Sequence, residues 1–231
     1  MIQFNMVTKK YRGNRKALRE VTFSLPTGKF IGIVGENSSG KSTILKLISG
    51  LIQPTTGTVS VLGERPSRLI SKKIAYLSEN DAYYPFYTVE ETVAYYEALY
   101  QDFNTEKANQ MINFMQLDQK QKVKELSKGK RARLKMILTI SREAPIILLD
   151  EPLANLDPIV RDLIVKGLIS FLDFEKQTVL LSTHEIIEIE PLLDMVMLLK
   201  NGEVVSIEEV ETMREIHGLT VVEWMKQAYQ D

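Results

Sequence analysis

The chain has 231 residues, 44% of them hydrophobic and 26% charged, a size that fits one large α/β domain or a core with an inserted subdomain and argues against two equal domains. With 29 basic against 30 acidic side chains the net charge is −1, so no global field draws it to nucleic acid or anionic lipid, and either partner would need a local patch. Cysteine is absent, which excludes disulfides and cysteine-held metal and fits a reducing cytoplasm.

Residues 1–5 show neither the charged nor the apolar region of a signal peptide, and export of the chain is not expected. Residues 2–7 and 21–25 alternate with period two, so the sheet is expected to start with antiparallel, half-buried strands. The apolar run 30–34 then leads directly into Gly35, Glu36, Asn37, Ser38, Ser39, Gly40, Lys41 and Ser42, the form G-x-x-x-x-G-K-[ST]. A strand end, a glycine-bearing loop and a helix start aim several backbone N–H groups at one point, and a polyphosphate suits that point. ATP or GTP is the expected ligand. Lys41 would neutralise β/γ-phosphate charge, Ser42 would take one position on Mg²⁺, and Thr43 would touch the α-phosphate.

Residues 41–48 read as a helix ended by Gly50, followed by a turn at 54–57 and strands at 58–62 and 74–77. From about 81 to 142 helix-period segments replace strands, the first opened by the capping-box pair Thr88 and Glu91. This predicts a nucleotide-binding core of residues 1–80 and 143–231 with a helical insertion at 81–142. Strands return at 146–150, 178–182 and 194–199, separated by a helix at 158–171 and a helix-like stretch at 185–193, as in a parallel sheet with helical crossovers. Asn201-Gly202 predicts a hairpin into 203–207, and residues 208–231 read as two short helices. No apolar run approaches the ~20 residues of a membrane helix, so at a membrane another chain must do the crossing.

Four apolar residues, 146–149, deliver Asp150 and Glu151 to the edge beside the phosphate loop. Asp150 is expected near Mg²⁺, directly or through water; Glu151 is expected to orient and deprotonate the attacking water. His184 ends the next strand at the same edge, placed to touch a γ-phosphate or the water, while His217 reads as a solvated bystander. In Leu126-Ser127-Lys128-Gly129-Lys130, Ser127 looks like an N-cap and Gly129 lets a backbone approach a ligand, so the helix over 130–140 offers its positive dipole end to an anion. The chain's own loop already takes one nucleotide. The second anion is therefore expected from a second copy.

These motifs, in this order, resemble the ABC ATPase family. Tyr11 matches the aromatic that stacks on adenine, residues 35–42 the Walker A motif, Glu79 the Q-loop position, and residues 126–130 the signature. Residues 146–151 match Walker B, 153–157 the D-loop, and His184 the switch histidine. The resemblance implies an α/β P-loop NTPase core with mixed sheet, N-terminal antiparallel β elements and an inserted helical subdomain. It implies a homodimer, or a paralogous heterodimer, closing head to tail around two ATP, each held between one copy's Walker motifs and the other's Ser127, Gly129 and Lys130. It further implies an ATP-hydrolysing subunit, cytoplasmic and peripheral on the membrane, driving a separate membrane-spanning subunit that docks near residues 79–87; compactness suggests an exporter. Lys128 and Lys130 stand where the family has Gly and Gln, and are expected to make closure depend on nucleotide charge. Glu79 stands where the family has Gln and would offer Mg²⁺ a charged oxygen. The aromatic run 83–87 reads either as docking anchors or as core, and the stripe of Tyr96, Leu99, Tyr100 and Phe103 as internal packing. Arg131 and Arg133 fit either an interface or a solvated helix face. The rival reading, a soluble ABC-type ATPase acting on nucleic acid or ribosomes, lacks a basic stripe, a second ATPase unit or a coiled coil, and no nucleic acid partner is expected.

Overall fold

The computed structural model describes residues 1–13, 16–78, 83–184 and 186–230; Glu79 and the side chain of His217 lie outside the described residues. Strands β1 (Ile2–Lys10), β2 (Lys16–Leu25) and β4 (Thr56–Val61) form an antiparallel sheet in the order β2-β1-β4. A second sheet holds β3 (Phe30–Gly35), β5 (Ile74–Leu77), β6 (Ile146–Asp150), β7 (Thr178–Thr183), β8 (Met195–Lys200) and β9 (Glu203–Glu209). Its order is β5-β6-β7-β3-β8-β9, parallel apart from β9, which returns antiparallel through the Asn201-Gly202 turn. The antiparallel elements thus build their own sheet and do not open the main one, because both sheets have an apolar face to bury. Ile2, Phe4, Val21 and Phe23 of the small sheet pack in one core with Ile31, Ile33, Leu148 and Leu180 of the large one and with Ile44, Leu45 and Ile48.

The other face of the large sheet is covered as well. Phe30, Val34, Ile147, Leu149, Val179 and Leu181 belong to a second core beneath the helices. With both faces buried, its central strands read as continuous apolar runs instead of alternating ones. Helix α1 (Lys41–Ile48) follows β3; α2 (Val89–Leu99), α3 (Thr105–Phe114) and α4 (Lys128–Ile140) lie between β5 and β6. Helix α5 (Pro158–Phe171) joins β6 to β7, and α6 (Val210–His217) and α7 (Val221–Gln230) end the chain. The Thr88–Glu91 capping box is fully formed, with both reciprocal hydrogen bonds.

The helix-like reading of 185–193 is corrected: among its described residues the regular structure is one 3₁₀ turn, Glu190–Leu192. Pro191 lacks an N–H and disfavours helical backbone in the residue before it. Ile189 and Leu192 donate to carbonyls three residues back, of Ile186 and Ile189, and Glu190 makes a single four-back bond to Ile186. Tyr96 and Tyr100 pack against the core and Phe103 is buried in it, as expected, but Leu99 is exposed.

Candidate nucleotide site

Strands β3, β6 and β7 all end at one edge of the sheet, the edge where α/β folds hold ligands. From β3 comes the loop at residues 35–42. Gly35 sits at φ +152°, and a Cβ there would lie 2.3 Å from the Leu199 carbonyl oxygen, so the motif's first glycine is required by the neighbouring strand. The Lys41 side chain is buried at 5% exposure and curls under the loop, its Nζ donating to the carbonyls of Gly35 (2.8 Å) and Glu36 (3.1 Å).

From β6 come the two carboxylates, and their surroundings differ. Buried Asp150 accepts three hydroxyls: Ser42 at 2.9 Å and Ser182 at 2.8 Å on Oδ1, and Tyr76 at 3.0 Å on Oδ2. Glu151 takes the left-handed conformation at φ +47°, anchored by its N–H to the carbonyl (3.1 Å) and hydroxyl (3.0 Å) of Ser182. Its Oε1 lies 3.2 Å from Lys41 Nζ and its Oε2 2.9 Å from His184 Nδ1. A non-glycine residue at positive φ stores strain, and here it turns the strand end so that one carboxylate joins the loop lysine to the histidine of β7. Ser42 and Asp150 form a pair of hard oxygen donors with a single carboxylate, the set Mg²⁺ takes when phosphate oxygens complete its shell.

A cavity of about 1130 Å³ unites Tyr11, Asn37, Ser38, Gly40, Lys41, Ser42, Thr43, Asp150, Glu151 and His184. Tyr11 is 42% exposed, with Lys9 Nζ 5.5 Å from its ring centre, so one aromatic face can take a planar base. Glu36 and Ser39 line a neighbouring cavity of about 630 Å³ on the outer side of the loop. Ser127, Gly129 and Lys130 do not line the nucleotide cavity of their own chain. Ser127 caps α4, accepting from the Lys130 N–H at 3.3 Å, and Lys130 Nζ donates to Gln121 Oε1 at 2.9 Å. At Gly129 a Cβ would lie 3.0 Å from Val160 Cγ2, so within one chain its small size lets α4 pack against α5. Arg133 is tied inward to the Met115 carbonyl at 3.2 Å, whereas Arg131 lines the cavity.

Sequence reasoning missed Tyr76, Ser182, Arg12 and Lys135. Ser182 is paired in register with Asp150 across β6 and β7, so the polar end of the strand at 178–182 was the signal for it. Tyr76 sits on β5, the neighbour of β6 on its other side.

A phosphate loop at the carboxyl edge of a mostly parallel sheet, with a buried carboxylate on its serine, defines the P-loop nucleoside triphosphatase class. The profile of the family described as ABC transporter matches residues 18–154, and the chain belongs to that family, as an ATPase nucleotide-binding domain. It is 29% identical over 222 residues to the carnitine transport ATP-binding protein OpuCA of Listeria monocytogenes, covering 90% of this chain and 55% of that one. The chain therefore spans about half the length of that relative. It is 33% identical over 234 residues to the Nod factor export ATP-binding protein I of Rhizobium etli, covering 96% and 72%. Among solved structures it superposes on the dimeric post-hydrolysis state of the ATP-binding cassette MJ0796 bound to ADP and Pi, with a TM-score of 0.79, 26% identity, and coverage of 90% and 98%.

Proposed function

We propose that this chain is the ATP-hydrolysing motor of a transporter, two copies closing head to tail around two ATP and driving a separate membrane-spanning subunit from its cytoplasmic face. The observation that carries the reading is the run of contacts from Lys41 through Glu151 to His184 beside the Ser42–Asp150 pair. ATP would lie with its base on Tyr11 and its phosphates on the N–H groups of the loop, drawing Lys41 from its carbonyl partners to the β/γ-phosphates. Ser42 and Asp150 would hold Mg²⁺, with Glu79 as a further oxygen ligand, and the ion when bound neutralises β- and γ-phosphate charge. Glu151 takes a proton from the water that attacks the γ-phosphorus; the bond to the bridging oxygen breaks, and ADP and phosphate result. His184, through its contact with Oε2, keeps that carboxylate aimed at the water.

Support for the dimer comes from the position of Ser127, Gly129 and Lys130 outside the lining of their own cleft, as a site shared with another chain's nucleotide requires. For membrane docking it comes from the rings of Tyr84, Phe86, Tyr87 and Tyr95, in contact at 5.1–6.1 Å between centroids, with Tyr84 and Phe86 45% and 62% exposed. Such a rigid aromatic patch is the composition of an interface anchor. Export is proposed on the 33% identity to the Nod factor export ATP-binding protein I, against 29% to the carnitine transport protein. The test is Glu151→Gln: phosphate release should fall by roughly 10²- to 10⁴-fold while ATP affinity holds and a nucleotide-bound dimer accumulates on gel filtration. Equal phosphate release from variant and parent would remove Glu151 from the base role, and purification without any polytopic protein from native membranes would remove the transporter.

A further inference from the structure

Strand β7 runs between β3 and β6, and its Ser182 stands beside Ile33 on one side and Asp150 on the other. The residue is fully buried. Its hydroxyl meets two groups of the nucleotide site, Oδ1 of Asp150 at 2.8 Å and the N–H of Glu151 at 3.0 Å. Chemistry fixes the direction of both bonds. A backbone N–H only donates and an ionised carboxylate only accepts, so the single hydroxyl proton goes to Asp150 and a lone pair is left for Glu151. The result is a chain from N–H through O–H to carboxylate, in which each bond polarises the next.

Both ends of that chain need holding. Oδ1 of Asp150 also accepts the Ser42 hydroxyl at 2.9 Å, so the carboxylate oxygen that faces the phosphate loop is the one Ser182 orients. Glu151 stands at φ +47°, a conformation that is strained for a residue with a side chain and persists where its neighbours over-determine it. Its N–H is shared between the Ser182 hydroxyl and the Ser182 carbonyl at 3.1 Å, and its Oε2 lies 2.9 Å from Nδ1 of His184, two residues further along the chain. One strand end thus grips the backbone and the carboxylate of Glu151 while also holding Asp150. Alanine at 182 would keep the carbonyl bond, so the turn survives. It would leave buried Oδ1 one donor short and the Glu151 N–H with one acceptor where it has two.

We propose that Ser182 is a positioning residue that couples the metal carboxylate to the base: one hydroxyl orients Asp150 and fixes the turn that aims Glu151 at the water. The inference rests on the roles proposed above for Asp150 and Glu151, and adds that the two carboxylates are not placed independently.

The experiment compares Ser182→Ala and Ser182→Cys with the parent; the cysteine fills the side-chain space but is only a weak donor. Calorimetric titration with ADP, in EDTA and at stepped Mg²⁺, reads the Asp150 end of the chain. Single-turnover hydrolysis of labelled ATP at saturating Mg²⁺ reads the Glu151 end. In EDTA both variants should bind ADP as the parent does, because the phosphate loop is untouched. The Mg²⁺ concentration for half its effect on ADP binding should rise about tenfold. At saturating Mg²⁺ hydrolysis should still be slower by about 10- to 100-fold, since filling the metal site does not re-aim a base. Added to Glu151→Gln, Ser182→Ala should shift the Mg²⁺ requirement as before yet slow the residual hydrolysis by less than about threefold, there being no base left to misplace. An unmoved Mg²⁺ requirement, equal slowing in the parent and Glu151→Gln chains, or ADP binding that weakens as much in EDTA as with Mg²⁺ overturns the coupling. A Glu151→Gln chain that hydrolyses ATP like the parent defeats the underlying reading, and the coupling falls with it.

Discussion

At the scale of single residues, Asp150 is held in place by side chains from three different elements. Three hydroxyls converge on a carboxylate that is 3% exposed, and a buried charge survives only when its lone pairs are so occupied. Of the three donors, Tyr76 alone binds Oδ2, and it alone comes from β5. Replacing Tyr76 by Phe removes that bond and leaves the ring in place, so the carboxylate loses its orientation without losing its neighbours. Partners that orient a metal ligand are typically worth roughly 10- to 100-fold in metal affinity. In Tyr76→Phe the Mg²⁺ concentration for half-maximal ATP turnover should rise by about tenfold while the plateau rate changes little; an unaltered Mg²⁺ titration would show that the phenol only fills space. Neither Tyr76 nor Ser182 stands out as a site residue in the sequence, because their bonds to Asp150 span 74 and 32 residues and depend on strand register across three neighbours. The loop, by contrast, is legible since its chemistry is contiguous.

At the scale of elements, the seam between α4 and α5 depends on Gly129, whose absent side chain leaves the space that Val160 fills. A leucine at this position overpacks the seam and should destabilise the chain by about 1–3 kcal/mol in denaturant unfolding. Val160→Ala in the same chain should recover part of that loss; no recovery would place the strain elsewhere. At the opening of α2, Thr88→Ala removes one half of a complete capping box and should lower stability by about 1 kcal/mol, measured the same way. Helix starts of this kind are the elements that sequence reading locates best. The bounds of α1 and α5 are as expected, the latter because Asp157 caps it and Pro158 occupies its first turn. The stretch at 186–193 misleads because its isoleucines have helical spacing, while Pro191 and the burial of Ile186, Ile189 and Leu193 favour a tight turn. The separate antiparallel sheet is also hidden, since which strands pair is decided by the two cores and not by the pattern within each strand.

At the scale of the whole molecule, the groups proposed for one reaction are divided between two surfaces. Lys41, Asp150, Glu151 and His184 meet in the cavity, while Ser127 at the head of α4 does not line it. In a head-to-tail pair related by a twofold axis, each reaction centre takes its cleft from one copy and its Ser127 from the other. Two defective chains with complementary lesions should therefore rescue each other. A Glu151→Gln homodimer has no base in either centre, and a Ser127→Arg homodimer blocks both with a bulky cation at the helix start. Mixed in equal amounts, half of the dimers pair the two kinds, and each such dimer holds one centre with an intact Glu151 facing an intact Ser127 and one with both lesions. If chains assort at random and centres work independently, turnover should return to about one quarter of the parent value, appearing only on mixing and increasing with total concentration as pairs form. A mixture no more active than its two components would show that each chain hydrolyses ATP with its own groups alone, or that both centres must be sound before either works, and in each case the independent shared centre fails.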